Sequence, residues 1–324
     1  MQIKAGKRNF KISVQLVTLY LFAVLAVTSP QAQVRKTPVK PTLRTVTVKT
    51  TPNASVWLNG VKYGKADEGG KITVIGVSPG MHTIRIRADG FKEALKPLPA
   101  TQQGEVEISL VETSDEAELA FQLAEVLSTS DRDKAIAAYE KAIKLRPNYA
   151  DAYIGLARIY AETGDFEKAD GAIRGARKAR PGVAEASAIE GRVFVTSNDE
   201  AKAIAAFKRA ITEGRGYQPE AYTGLALLYK EKAEGFGVEG NFEQETANYN
   251  QAVKYFSTAV KQLGSSPDGA VIYQLLGLIY EQQKKYKEAI ALYEEFLTRF
   301  PDSAESTAIR SFIVQLKKQL DESN

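Results

Sequence analysis

Cysteine is absent from the 324 residues, histidine and tryptophan occur once each, and methionine twice. Without cysteine there can be no disulfide, no thiolate metal site and no lipid-modified N-terminal cysteine. A single imidazole, His82, leaves no basis for a histidine metal cluster, and any catalytic triad would have to run on it alone. Net charge is nearly missing as well. The formal +4 comes from Lys4, Lys7, Arg8 and Lys11, which lie in a 32-residue opening without an acid; the rest of the chain carries 39 basic against 39 acidic residues. Such a balanced chain lacks the field of a nucleic-acid binder. The stretch from Gly64 to Ile72 is glycine-rich, but its spacing is not that of a phosphate loop, and Ile72 stands where a metal-binding hydroxyl is needed. No catalytic residue, metal site or cofactor is assigned, and the chain is read as a non-enzyme.

Long apolar runs are equally scarce. The only one, Ile12 to Val27, follows the basic stretch and precedes Thr28-Ser29-Pro30-Gln31-Ala32. That order of basic, apolar and small residues is the layout of a signal peptide, assigned to 1–32, and it predicts export to a periplasmic or extracellular space. The alternative is an anchor formed by an uncleaved N-terminal helix, the one route by which a membrane would be a partner. Residues 33–44, with Pro38 and Pro41 among Lys and Thr, read as an extended linker.

From 45 to 112 the apolar residues recur every second position. Val46 and Val48, Ile84 and Ile86, and Val106, Ile108 and Leu110 alternate with polar neighbours, the pattern of half-buried strands. Asn59-Gly60 and Pro79-Gly80 supply turn chemistry between them. Beyond Glu112 the period becomes that of a helix, and the chain repeats itself. Ala135, Ala169 and Ala203 are 34 residues apart; so are Ala142, Ala176 and Ala210, and so are Tyr139, Ile173 and Phe207. The chain is expected to be multi-domain, α and β: a small antiparallel β-sandwich followed by an α-solenoid of helical hairpins.

Both parts resemble known families. Val46-x-Val48, Thr51-Pro52-Asn53-Ala54, Val56-Trp57-Leu58-Asn59-Gly60, Val77-Ser78-Pro79-Gly80-Met81-His82 and Gly90-Phe91 resemble the PEGA domain, which implies an extracytoplasmic β-sandwich and no chemistry. The helical part resembles the tetratricopeptide repeat (TPR). Five TPR-like units are read at 117–149, 150–183, 184–217, 219–267 and 270–303, followed by a capping helix at 304–320. The second fits best, with Tyr153, Leu156-Ala157, Tyr160, Ala169, Ile173, Ala176 and Pro181. The fourth carries 14 extra residues between its helices. They are read as a loop over Glu231–Asn248 that contains Gly235, Gly237, Gly240, Phe236 and Phe242.

The resemblance implies a concave groove lined by positions 2, 5, 9, 12 and 13 of each repeat, and a protein or peptide partner. Candidate groove residues are Phe121, Glu125, Ile154, Arg158, Glu162, Arg192, Thr223 and Gln274. The lysine and asparagine of the carboxylate-clamping subfamily do not occur at positions 5 and 9. The function expected is a non-catalytic protein–protein interaction scaffold or adaptor in the cell envelope or secreted space. The alternative is attachment to a cell-wall glycan through the β module, with Trp57, Tyr63 and Phe91 as stacking residues set against their burial in the sandwich core.

Overall fold

The structure, a computed structural model, describes residues 43–322. The segments read as signal peptide and as most of the linker lie outside the described residues. Seven strands come first: β1 (Arg44–Lys49), β2 (Ser55–Leu58), β3 (Val61–Lys65), β4 (Lys71–Val77), β5 (His82–Arg87), β6 (Ala94–Leu98) and β7 (Gly104–Glu107). They form two sheets, ordered β4-β1-β7 and β3-β2-β5-β6. All pairs are antiparallel except one: β7 returns to the edge of the first sheet and runs parallel to β1. Arg44, read from the sequence as linker, instead opens β1. Its guanidinium donates to the carbonyls of Gly80, Pro99, Ala100 and Gln102, tying two loops to the strand.

Alternation does what the period predicts. Val46, Val48, Val56, Leu58, Ile84 and Ile86 point between the sheets and are buried, while Trp57, Arg85 and Arg87, at the odd positions of β2 and β5, stand on the outer face. The β2–β3 hairpin turns at Asn59 and Gly60, both at positive φ, which the right-handed twist of paired strands requires. His82 is buried beneath that turn. Its Nδ1 meets Asn59 Nδ2 at 2.7 Å and its Nε2 meets the Ser78 carbonyl at 2.9 Å, so both ring nitrogens are engaged in holding the loop.

The helices pair as hairpins: α1 (Glu116–Leu127) with α2 (Arg132–Leu145), α3 (Ala150–Thr163) with α4 (Phe166–Ala179), and α5 (Ala184–Thr196) with α6 (Glu200–Glu213). Then follow α7 (Pro219–Val238) with α8 (Phe242–Leu263), α9 (Pro267–Gln282) with α10 (Tyr286–Arg299), and α11 (Ser306–Glu322) across the end. The alanine columns Ala135, Ala169, Ala203 and Ala142, Ala176, Ala210 are all fully buried, where the helices of each hairpin cross. Glycine serves the same end between hairpins. Phe207 of α6 is held between Gly191 of α5 and Gly224 of α7; a Cβ on Gly224 would stand within 2.7 Å of three of its ring carbons.

A fourth column escaped the sequence reading. Asp131, Asp165 and Asp199, one repeat apart, cap α2, α4 and α6 by accepting from the backbone of Lys134, Lys168 and Lys202. Each aspartate also pairs with that lysine's side chain, at 2.8, 2.7 and 2.6 Å. Such a cap contributes about 1 kcal/mol.

The fourth hairpin corrects an expectation. The 14 extra residues are not a loop: α7 runs for 20 residues and α8 for 22, against 14 in α4 and α6. The insertion therefore lengthens each helix by roughly two turns. Gly235 and Gly237 are inside α7, and only Gly240, at positive φ, makes the turn. The two helices pack to their tips, burying Ala233, Asn248 and Tyr249, which is why helix wins over loop. Phe236 is half-buried, while Val238 and Phe242 are exposed at the tip.

Candidate functional site

The outer face of the β3-β2-β5-β6 sheet carries one aromatic ring and several cations. Trp57 lies directly across from Arg85 on β5 and from Lys62 on β3. The Arg85 guanidinium sits 5.0 Å from the Trp57 ring centre, Arg87 5.4 Å and Lys62 5.6 Å. Strand alternation puts all four on one face, and that face looks toward the helices.

At one side Arg87 reaches the first hairpin. It lies 4.6 Å over the Phe121 ring and pairs with Glu93, with Glu125 at 3.5 Å and with Asp151 at 3.9 Å. Beside it the Gln122 side chain accepts from Gly90 N–H at 2.9 Å and donates to the Phe91 carbonyl at 2.7 Å. Glu118 accepts from Glu93 N–H at 2.9 Å. At the other side the sheet meets the last repeats. Ser266 Oγ donates to the Lys62 carbonyl at 2.8 Å and Ser265 Oγ to the Ile75 carbonyl at 2.7 Å. Tyr63 packs over Gly264, where a Cβ would come within 2.7 Å of its hydroxyl. Burial pushes that phenol up to about 12, the nearby Arg299 opposing.

The β module is thus bonded to the first hairpin and to the α8–α10 region, and it spans the concave face between them. Beneath it lies a chamber of about 960 Å³. Trp57, Lys62 and Arg85 form its β wall; Arg158, Arg192, Glu220, Thr223 and Leu227 belong to its helical wall.

The floor of the chamber is an ion network drawn from three helices. Arg158 of α3 grips Glu220 of α7 with both terminal nitrogens, at 3.1 and 3.0 Å. Arg192 of α5 reaches the same carboxylate at 3.3 Å and Glu162 at 3.6 Å. Burial would push the Glu220 carboxyl up, but the two guanidiniums outweigh it and hold it below the usual carboxylate value. In return the Glu220 carboxylate lifts Arg158 further above its ordinary value. Arg85 has no such partner. Burial first, then the neighbouring Arg87, lower its guanidinium from the ordinary value.

Of the groove residues read from the sequence, Arg158, Arg192 and Thr223 come together in the chamber. Glu162 stands beside it through Arg192. Glu125 takes the Tyr139 hydroxyl and the Arg87 ion pair, so it fastens the β module. Phe121 does not line a groove; it is 2% exposed, because it packs into the first hairpin core against Tyr139 and Tyr149 beneath Arg87. Ile154 is half-buried against that same core. Gln274 is half-buried on α9 and does not line the chamber.

Trp57, Tyr63 and Phe91 do not share a surface. Trp57 faces the chamber, Tyr63 packs between the sandwich and the last repeats, and Phe91 lies where the chain turns toward α1. Lys62, Arg85, Glu220 and Leu227 of the chamber were not among the candidates. Glu220 occupies position 2 of the fourth repeat, a groove position by the family pattern, so the signal was available. Arg85 reads in sequence only as a solvated strand residue.

A family model described as PEGA domain matches residues 43–114, and two models described as tetratricopeptide repeat match 116–193 and 239–302. Among solved structures the chain is similar to the MamA protein, at 22% identity over 60% of this chain and 96% of that one, with a TM-score of 0.39. It is also similar to yeast Tom70, at 19% identity over 64% of this chain but only 41% of that one, with a TM-score of 0.49. A thermophilic TPR protein in Thermus thermophilus is similar at 16% identity, over 62% and 98%, with a TM-score of 0.42. With scores below 0.5, none of these superpositions bears on a ligand or partner. No curated protein matches the chain.

Proposed function

Because this chain joins a PEGA domain to tetratricopeptide repeats, we propose that it is a non-catalytic scaffold that holds a segment of a partner protein in the chamber between the two. Stacked helical repeats present extended concave surfaces, the usual place for binding an extended partner. The observation that carries the reading is the chamber itself: about 960 Å³, on the concave side, floored by Arg158, Arg192 and Glu220 and roofed by Trp57. That volume is at the upper end of ordinary binding pockets and has room for a few residues of a partner.

The site of action proposed is the cell envelope or the secreted space. Support comes from the order of Lys4, Lys7, Arg8 and Lys11 before the apolar run Ile12–Val27. Sequencing the N-terminus of the protein recovered from a periplasmic or culture-medium fraction tests it; recovery only from the cytosol, with Met1 intact, refutes it.

Alanine substitutions at Arg158 and Arg192 would make a poor test of the scaffold role, since they strand Glu220 without a counter-charge. Thr223→Trp is cleaner. Thr223 is half-buried in the helical wall, and an indole there narrows the chamber beside the ion network without removing any of its charges. Capture of the partner found by native cross-linking should fall at least about tenfold, about 1.4 kcal/mol, with the melting curve preserved. Undiminished capture places the binding surface elsewhere.

A further inference from the structure

The chamber is chemically uneven, and one residue makes it so. Five basic and four acidic side chains line it. Arg158 and Arg192 share Glu220, and Arg180 pairs with Asp151 at 2.9 Å. Lys62 is exposed and keeps its water. Arg85 differs from all of them. Among the described residues it makes no ion pair and no hydrogen bond, and its Nε is buried with no partner at all. The Nε is closed off from the cavity, but the terminal Nη groups are not buried and have no partner either, so they are the donors Arg85 presents to the chamber. Its geometry agrees. The guanidinium carbon lies 5.0 Å from the Trp57 ring centre, and the planar fork of its terminal N–H groups suits a planar, two-oxygen acceptor.

We propose that the chamber takes the carboxylate of one acidic residue in a short peptide segment of a partner protein, held by Arg85 on its Trp57 platform, with Leu227 and Ile272 receiving an apolar neighbour of that residue. The inference rests on the scaffold reading above and names the chemistry of its ligand. Among the described residues Arg85 is the one guanidinium of the lining without an ion pair, so it matches a single carboxylate; a phosphate dianion would leave negative charge uncompensated. The apolar lining suits a peptide side chain. A sugar ring would need a bare aromatic face to stack on, and the Trp57 ring already has three cations around it. This donor comes from a β-strand, not from the helical positions that clamp carboxylates in the subfamily this sequence lacks.

The probe is an amidated octapeptide positional-scanning library, with Glu, Gln, Lys or Leu fixed at each position in turn, presented to the full chain. The wild-type protein should favour Glu over Gln about tenfold or more at one position, with Leu favoured next to it. Arg85→Gln should erase the Glu preference and keep the Leu preference. Arg85→Lys preserves the charge and guards against misfolding; it should retain only part of the preference, since it lacks the planar fork. A Glu preference that survives Arg85→Gln overturns the proposal, as does a wild-type protein that holds peptides without regard to charge; in both cases the scaffold reading stands. Retention of no peptide defeats the scaffold reading itself. Arg85-dependent retention of an oligogalacturonate in place of any peptide also overturns the proposal, in favour of an acidic glycan.

Discussion

Gly224→Ala should destabilise the array, although replacing glycine by alanine inside a helix ordinarily does the reverse. The ordinary gain is about 1 kcal/mol. Against it stands Phe207. A Cβ on Gly224 would lie within 2.7 Å of three of its ring carbons, where normal contact begins near 3.4 Å. The ring cannot retreat, because it is fully buried and Gly191 touches it from its own hairpin. Overpacking of this kind costs about 1–3 kcal/mol, and three atoms in conflict put the cost near the top of that range. The net effect is about 2 kcal/mol of destabilisation, a fall in Tm of roughly 4–8 °C for a fold of this size. Gly171→Ala in α4 is the internal control, since a Cβ there meets only an Arg174 nitrogen at 3.9 Å; it should gain about 0.5–1 kcal/mol. Urea denaturation of the two variants side by side reads the difference. If Gly224→Ala is as stable as Gly171→Ala, the inter-repeat packing described around Phe207 is wrong.

Further outcomes follow from the charges and phenols. The Glu220 carboxyl is held below its ordinary value of 4.5, so its contribution to stability is present above that pH and lost as pH falls through the lower folded value. Glu220→Gln should therefore destabilise the protein at pH 7, by about 2 kcal/mol given its partial exposure, and flatten the loss of stability on acidification; equal acid sensitivity in the variant would refute the role given to the network. The Tyr63 phenol moves the other way, from 10 to about 12. Its contribution is full below pH 10 and disappears as pH rises toward 12, and Tyr63→Phe should reduce the alkaline decline in that window, read by thermal melts at stepped pH. An unchanged decline would mean that Tyr63 is not buried between the sandwich and the last repeats.

What the sequence disclosed and what it hid divide along periodicity. The 34-residue columns Ala135–Ala169–Ala203 and Ala142–Ala176–Ala210 repeat because each packs the same helix crossing, and the buried positions match. Alternation likewise exposed the β core, from Val46 to Ile86. The Asp131, Asp165 and Asp199 caps repeat at the same interval and were legible but unread. The extended α7–α8 hairpin was hidden because Gly235 and Gly237 disfavour helix locally, and only the partner helix, burying Ala233 and Tyr249 along the full length, overrides them. Arg87, Gln122, Ser265 and Ser266 tie the β module across the groove from sites with no shared period. Nothing in a linear pattern brings Arg85 opposite Arg158, so the chamber itself emerges only in three dimensions.

The scaffold account is tested most directly by placing a photo-reactive amino acid at Leu227, in the chamber, and at Lys208, exposed on α6 and absent from the chamber lining, and irradiating the protein in its native compartment. The account predicts that one discrete protein cross-links through position 227 and not through 208, and that Thr223→Trp lowers the cross-link yield at least about tenfold. Cross-links to a protein through 208 alone, or a cross-link at 227 that is indifferent to Thr223→Trp, would contradict it.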